Sequence, residues 1–224
     1  MTLRQRDVLI PANGVQLEGT LSLPDSLPDN PRGAVLFAHG SGSSRHSSRN
    51  RYVAEVLQAH GIATLLFDLL TANEDQDREK RFDIALLTER LVAATLWLQG
   101  ESETKGMNIG YFGASTGAAA ALRAASGLGL LVAAVVSRGG RLDLAGPHAL
   151  ARVTSPTLLI VGGWDEGVIE LNQQAFDWLR CEKSLVIVAG ATHLFEEPGT
   201  LEQAASHAAA WFLRWLSPPL QSNF

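Results

Sequence analysis

A single cysteine, Cys181, stands in a chain of 224 residues. That excludes an intramolecular disulfide framework and any cysteine-based metal cluster, and it fits a reducing cytosol. Charge is also sparse: 18% of residues against the usual quarter, with a net charge of −5. Without a basic field, neither nucleic acid nor an anionic membrane surface is expected as a partner. No run reaches the ~18 apolar residues of a membrane span, and the nearest, 128–136, is too short. Residues 1–11 lack the apolar run of a signal peptide, so a cytoplasmic location is the expectation. No stretch combines low hydropathy with a like-charge run, which argues against a long disordered tail. What the chain has is apolar residues, 46% of the total, enough for one core and one α/β domain over 1–224.

The segments 8–11 and 15–23 are short extended runs around Asn13-Gly14, the strongest short hairpin signal, so the chain should open with an antiparallel hairpin. Prolines 24, 28 and 31 with Asp25 and Asp29 mark 24–32 as a polar turn region. From Gly33 onward the pattern changes to short continuous apolar runs alternating with helical ones. This is expected of strands buried on both faces of a mainly parallel sheet, and it predicts strands at 34–38, 63–68, 108–112, 133–137, 157–161 and 185–188. Helices are predicted over 47–60, 82–99, 116–126, 166–180 and 201–216, with Gly61 and Gly100 as left-handed stops for the first two. In such sheets ligands bind beyond the carboxyl ends of the strands, so residues just after each strand matter most.

Gly113-Ala114-Ser115-Thr116-Gly117 follows the strand at 108–112 and runs straight into the alanine-rich segment 118–121. A serine on a tight strand-to-helix turn projects its hydroxyl over the sheet edge, above the free N–H groups of the helix N-terminus. A serine needs a base to take its proton and a carboxylate to orient that base. Asp165 follows the strand at 157–161, His193 follows that at 185–188, and the order serine, acid, histidine has gaps of 50 and 28 residues. Asp165 is also placed to cap the helix beginning at Glu166. Asp143 is the serious rival acid, ahead of Glu166, Glu196 and Glu197; His60, His148 and His207 fall where capping or surface roles are more ordinary. The first parallel strand ends in the glycine-rich loop His39-Gly40-Ser41-Gly42-Ser43-Ser44, whose N–H groups can face Ser115. The expected oxyanion donors are the N–H groups of Ser41 and Thr116. Neither the phosphate loop nor the dinucleotide fingerprint of glycines is present.

His39-Gly40 after the first parallel strand, the elbow 113–117, Asp165 and His193, taken in that order, resemble the α/β-hydrolase superfamily over nearly the whole chain. The short form and its ending resemble the dienelactone hydrolase-like branch, whose namesake enzymes carry cysteine where this chain has Ser115. The resemblance implies an α/β-hydrolase fold with Ser115 as nucleophile, His193 as base, Asp165 as its orienter, and Ser41 and Thr116 as oxyanion donors.

Only 19 residues, 138–156, separate two strands where many superfamily members insert a helical lid, so an open site without a lid domain is expected. His39, Gly40 and Gly42 are expected at the substrate, with Trp164 either lining the pocket or packing. Arg45, His46, Arg49 and Arg51 cluster beside the oxyanion loop and Arg138 follows a strand at the same edge, where an anionic substrate group could be held. The more ordinary fate of these arginines is pairing with Glu74, Asp75, Asp77 and Glu79. The expectation is a serine hydrolase that cleaves a small ester without metal or organic cofactor, as a monomer or homodimer. Thioesterase, acyl transferase or perhydrolase chemistry would use the same residues, and a non-catalytic binding protein would keep the fold but lack a triad member.

Overall fold

The computed structural model describes residues 2–25 and 33–216. Most of the predicted polar turn at 24–32 lies outside them. The chain opens with β1 (Thr2–Ala12) and β2 (Val15–Asp25), paired antiparallel around a turn in which Asn13 has φ 47° and Gly14 φ 85°. Those positive angles are what an Asn-Gly hairpin turn requires. Six further strands follow: β3 (Ala34–Ala38), β4 (Ala63–Phe67), β5 (Ile109–Ala114), β6 (Val132–Arg138), β7 (Thr157–Gly162) and β8 (Lys183–Val188). One sheet runs in the order β1-β2-β4-β3-β5-β6-β7-β8. β2 meets β4 antiparallel, and every pairing from β4 to β8 is parallel.

Helices cover both faces: α1 (Ser48–Ala59), α2 (Arg78–Phe82), α3 (Ile84–Gly100), α4 (Thr116–Leu128), α5 (Pro147–Leu150), α6 (Glu166–Trp178) and α7 (Thr200–Leu216). Strand β3 shows why its sequence is apolar throughout. Ala34, Leu36 and Ala38 join the core beneath α3 and α4, whereas Val35 and Phe37 join the core beneath α1 and α7. Period-two alternation thus buries both sides.

The helix predicted over 82–99 differs from expectation at both ends. The segment predicted as one helix from Phe82 is divided at Asp83, whose carboxylate accepts the Leu86 N–H at 3.0 Å and caps α3. Gly100 is the last residue of α3 and not a left-handed stop; the chain leaves through Glu101 at φ −71°. Gly61, at φ 78°, does take the left-handed position after α1.

The strand order reverses about β3, which has β4 on one side and β5 on the other. At such a switch point the loops after two adjacent strands diverge and leave a crevice. Here those are the loop 39–44 and the elbow at Ser115. The 138–156 connection carries only a 3-10 turn (Leu142–Ala145) and α5, so no lid covers the crevice among the described residues. No helix there is long and apolar enough to cross a membrane.

Candidate active site

Ser115 sits between β5 and α4 with φ 50° and ψ −120°, a conformation L-residues rarely adopt. The neighbours hold it there by lacking side chains. A Cβ on Gly117 would lie 2.1 Å from the Ala38 carbonyl oxygen, and one on Gly113 2.4 Å from Ala118 Cα. Glycine at both positions therefore lets α4 start directly against β3 and β5. The strained turn is secured by backbone hydrogen bonds from Ser115 N–H to Arg138 O (3.2 Å) and from Arg141 N–H to Ser115 O (3.0 Å).

His193 and Asp165 come together from the loops after β8 and β7. His193 Nδ1 lies 2.6 Å from Asp165 Oδ2, a short charge-assisted geometry. The His193 ring packs against Gly139, where a Cβ would come within 3.3 Å of its Cε1. Its loop is ordered by the Thr192 N–H, which donates to Glu197 Oε2 at 3.0 Å. Hydrogen bonds with the Thr192 backbone and side chain hold the Glu197 carboxyl below its ordinary range. Asp165 starts α6 without capping it through its side chain, so the carboxylate is free for the histidine. The rival Asp143 is bound in a two-point pair by Arg141 at 2.9 and 2.8 Å.

Other expected residues are placed differently. His39 is buried; its Nδ1 meets the Gly40 carbonyl at 3.0 Å, and its Nε2 accepts the Leu69 N–H at 3.0 Å. Both nitrogens are thereby spent on backbone, fixing the neutral tautomer, and burial lowers the imidazole pKa. His39 clamps two loops together and does not line the cavity at Ser115. Gly42 and Trp164 do not line it either; Trp164 is 67% exposed. The Ser41 N–H, expected to face Ser115, donates to Thr116 Oγ1 at 2.9 Å. The Thr116 N–H, first in α4, has no intrahelical acceptor.

The cavity that contains Ser115 and His193 has a volume of about 160 Å³, with Gly40, Ser41 and Arg138 also in its wall. Arg138 is 6% exposed and lies over the Phe195 ring, 5.5 Å from its centroid. Three residues at or beside the site were not expected there: Phe195, which takes φ 56° in the His193 loop, and Ser47 and Asn50. A signal for the latter pair existed. Ser47 caps α1 by accepting the Asn50 N–H at 3.4 Å, so the Ser-x-x-Asn spacing places the first turn of α1 beside the loop.

Arg45 and Arg49 pair, although not with the carboxylates expected. Arg45 binds Asp68 and Glu18, and Arg49 reaches Glu196 at 3.0 Å. The acidic loop instead serves nearer partners: Glu74 pairs with Arg90, Asp75 with Arg81, and Asp77 caps α2.

The chain is 53% identical to a solved structure of dienelactone hydrolase from Anabaena variabilis, with a TM-score of 0.91 over 96% of this chain and 99% of that one. An α/β serine hydrolase without a lid, from Xanthomonas campestris, shares the fold at 22% identity and TM-score 0.75, over 96% of this chain and 97% of that one. A Mycobacterium tuberculosis (strain H37Rv) protein, provisionally named a phosphoribosyl transferase, is 56% identical over 217 residues, which is 97% of this chain and 48% of that protein. The chain therefore spans about half the length of these mycobacterial relatives. No family model matches. A likeness that extends over both whole chains at half identity, on a lidless sheet with a serine elbow, means that this chain belongs to the dienelactone hydrolase-like branch of the α/β-hydrolase superfamily.

Proposed function

We propose that the chain is a serine hydrolase that cleaves a small ester through an acyl-enzyme on Ser115. The observation that carries this reading is the 2.6 Å contact of Asp165 with His193, which lines one cavity with Ser115 at the strained elbow. His193 takes the Ser115 proton as the hydroxyl oxygen attacks the carbonyl carbon. Asp165 holds the imidazole in orientation and stabilises the imidazolium that forms. The proton then passes to the leaving alcohol as the C–O bond breaks. Water, deprotonated in turn by His193, releases the acid and restores Ser115. The developing oxyanion receives the Thr116 N–H, with the Ser41 N–H joining it by exchanging the Thr116 hydroxyl for the carbonyl oxygen.

The esterases and the dienelactone hydrolase among the structural neighbours support this class of reaction. The name carried by the mycobacterial relatives describes proteins about twice this length, and the serine with its histidine–aspartate pair is equipped for acyl transfer. The test is a pre-steady-state burst of p-nitrophenol from p-nitrophenyl acetate, with acetylated Ser115 identified by mass. A linear time course with no acylated serine would remove the acyl-enzyme from the scheme.

A further inference from the structure

The same cavity holds a cation that no anion among the described residues balances. Arg138 is 6% exposed, its Nε has no hydrogen-bond partner, and among the described residues no acceptor or carboxylate meets its guanidinium. Its neighbours make the charge costlier. Burial, and then the charge of Arg49, push its pKa down to about 10, so it stays cationic at neutral pH. Arg49 sends Nη1 to Glu196 at the rim, but its own Nε is buried without an acceptor. The first turn of α1, a 12-residue helix, brings Ser47, Arg49 and Asn50 into the wall, with Ser43 beside them. A helix N-terminus adds positive potential and free N–H groups. No aspartate or glutamate among the described residues lines this cavity.

A buried cation without a partner is strongly unfavourable unless an anion completes it. We propose that this cavity carries an anion subsite, formed by Arg138, Arg49 and the first turn of α1, that holds a phosphate group of the ester substrate beside Ser115. Two guanidiniums, two serine hydroxyls and an amide offer more donors than the two oxygens of a carboxylate can accept. The three free oxygens of a phosphate monoester match that number better, and Arg presents its donors as a fork suited to them. The unpartnered Asn50 Oδ1 is an acceptor for a phosphate oxygen that keeps its proton. The inference rests on the hydrolase reading only in placing the scissile carbonyl at Ser115.

The experiment combines calorimetric titration of inorganic phosphate with the rate at which a fluorophosphonate labels Ser115 in the presence of phosphate, succinate or chloride. Phosphate is expected to bind once per chain and to slow labelling more than succinate does at equal ionic strength. Arg138→Gln should weaken phosphate binding by about tenfold or more, and Arg138→Lys should lose less because it keeps the charge. Should Arg138→Gln not fold, the native titration and Arg49→Gln decide in its place. Labelling that phosphate leaves untouched, with no binding heat, would overturn the subsite while leaving the hydrolase reading standing. Phosphate binding without any labelling would do the reverse, and succinate protecting as well as phosphate would overturn the choice of phosphate.

Discussion

Arg90 and Arg138 are the same residue at nearly the same burial, 5% and 6% exposed, in two regions with opposite character. Arg90, on α3, donates to the Ala12 carbonyl at the hairpin turn and to Glu74 Oε1 at 3.0 Å. Burial pushes the Glu74 carboxyl up, but the Thr71 N–H and hydroxyl, together with Arg90, hold it below its ordinary range. The arginine there stitches the N-terminal hairpin to the helical layer. Arg138, at the end of β6, has an aromatic ring and another cation for company. The first region pairs its cation within the chain, with only the Arg90 Nε left without an acceptor. The second gathers a strained serine, a positive-φ phenylalanine and an unpaired charge, an arrangement that lowers stability and makes sense where a ligand completes it.

The largest effect that separates the regions should come from Ser115→Ala, which removes about a million-fold in kcat on p-nitrophenyl acetate without lowering the melting temperature. Asp165→Asn should follow, with kcat down by about ten-thousand-fold because the imidazole loses its orienting acceptor. Replacing the two arginines reverses the readout. Arg90→Met leaves Glu74 Oε1 and the Ala12 carbonyl without their arginine, and urea unfolding should show a loss of about 3–5 kcal/mol. Arg138→Met removes an uncompensated buried charge and should leave stability unchanged or raise it by about 1 kcal/mol. Equal destabilisation by both substitutions would erase the distinction drawn between them.

The smallest effect concerns His39. Its folded pKa lies below the ordinary 6.5, so below that pH the unfolded chain binds a proton that the folded one refuses. Stability is therefore held above pH 6.5 and lost as pH falls beneath it, by at most about 1.4 kcal/mol per pH unit. Melting temperatures of native protein and His39→Gln between neutral and mildly acid pH should converge as the pH drops.

Much of this architecture is written locally in the sequence. Apolar runs such as 34–38, Asn13-Gly14 and the glycines flanking Ser115 act on their immediate neighbours, so strands, hairpin and elbow were legible. His193 and Asp165 were legible because each falls just after a strand of a parallel sheet. What was not legible depends on which loops face one another. Arg49 meets Glu196 across 147 residues, and the Ser41 amide finds the Thr116 hydroxyl across 75. Histidine 39 looked like a substrate residue because it precedes the glycine-rich loop; only the course of the chain after β4 shows its ring closed by the Leu69 amide.

A fluorophosphonate tests the activation of Ser115 by His193 without a guess at the substrate, since the reagent captures a serine whose proton a neighbouring base can take. Intact mass should show one adduct on the native chain and none on Ser115→Ala. A folded native chain that takes up no label, or a Ser115→Ala variant that labels as well as native, would contradict it.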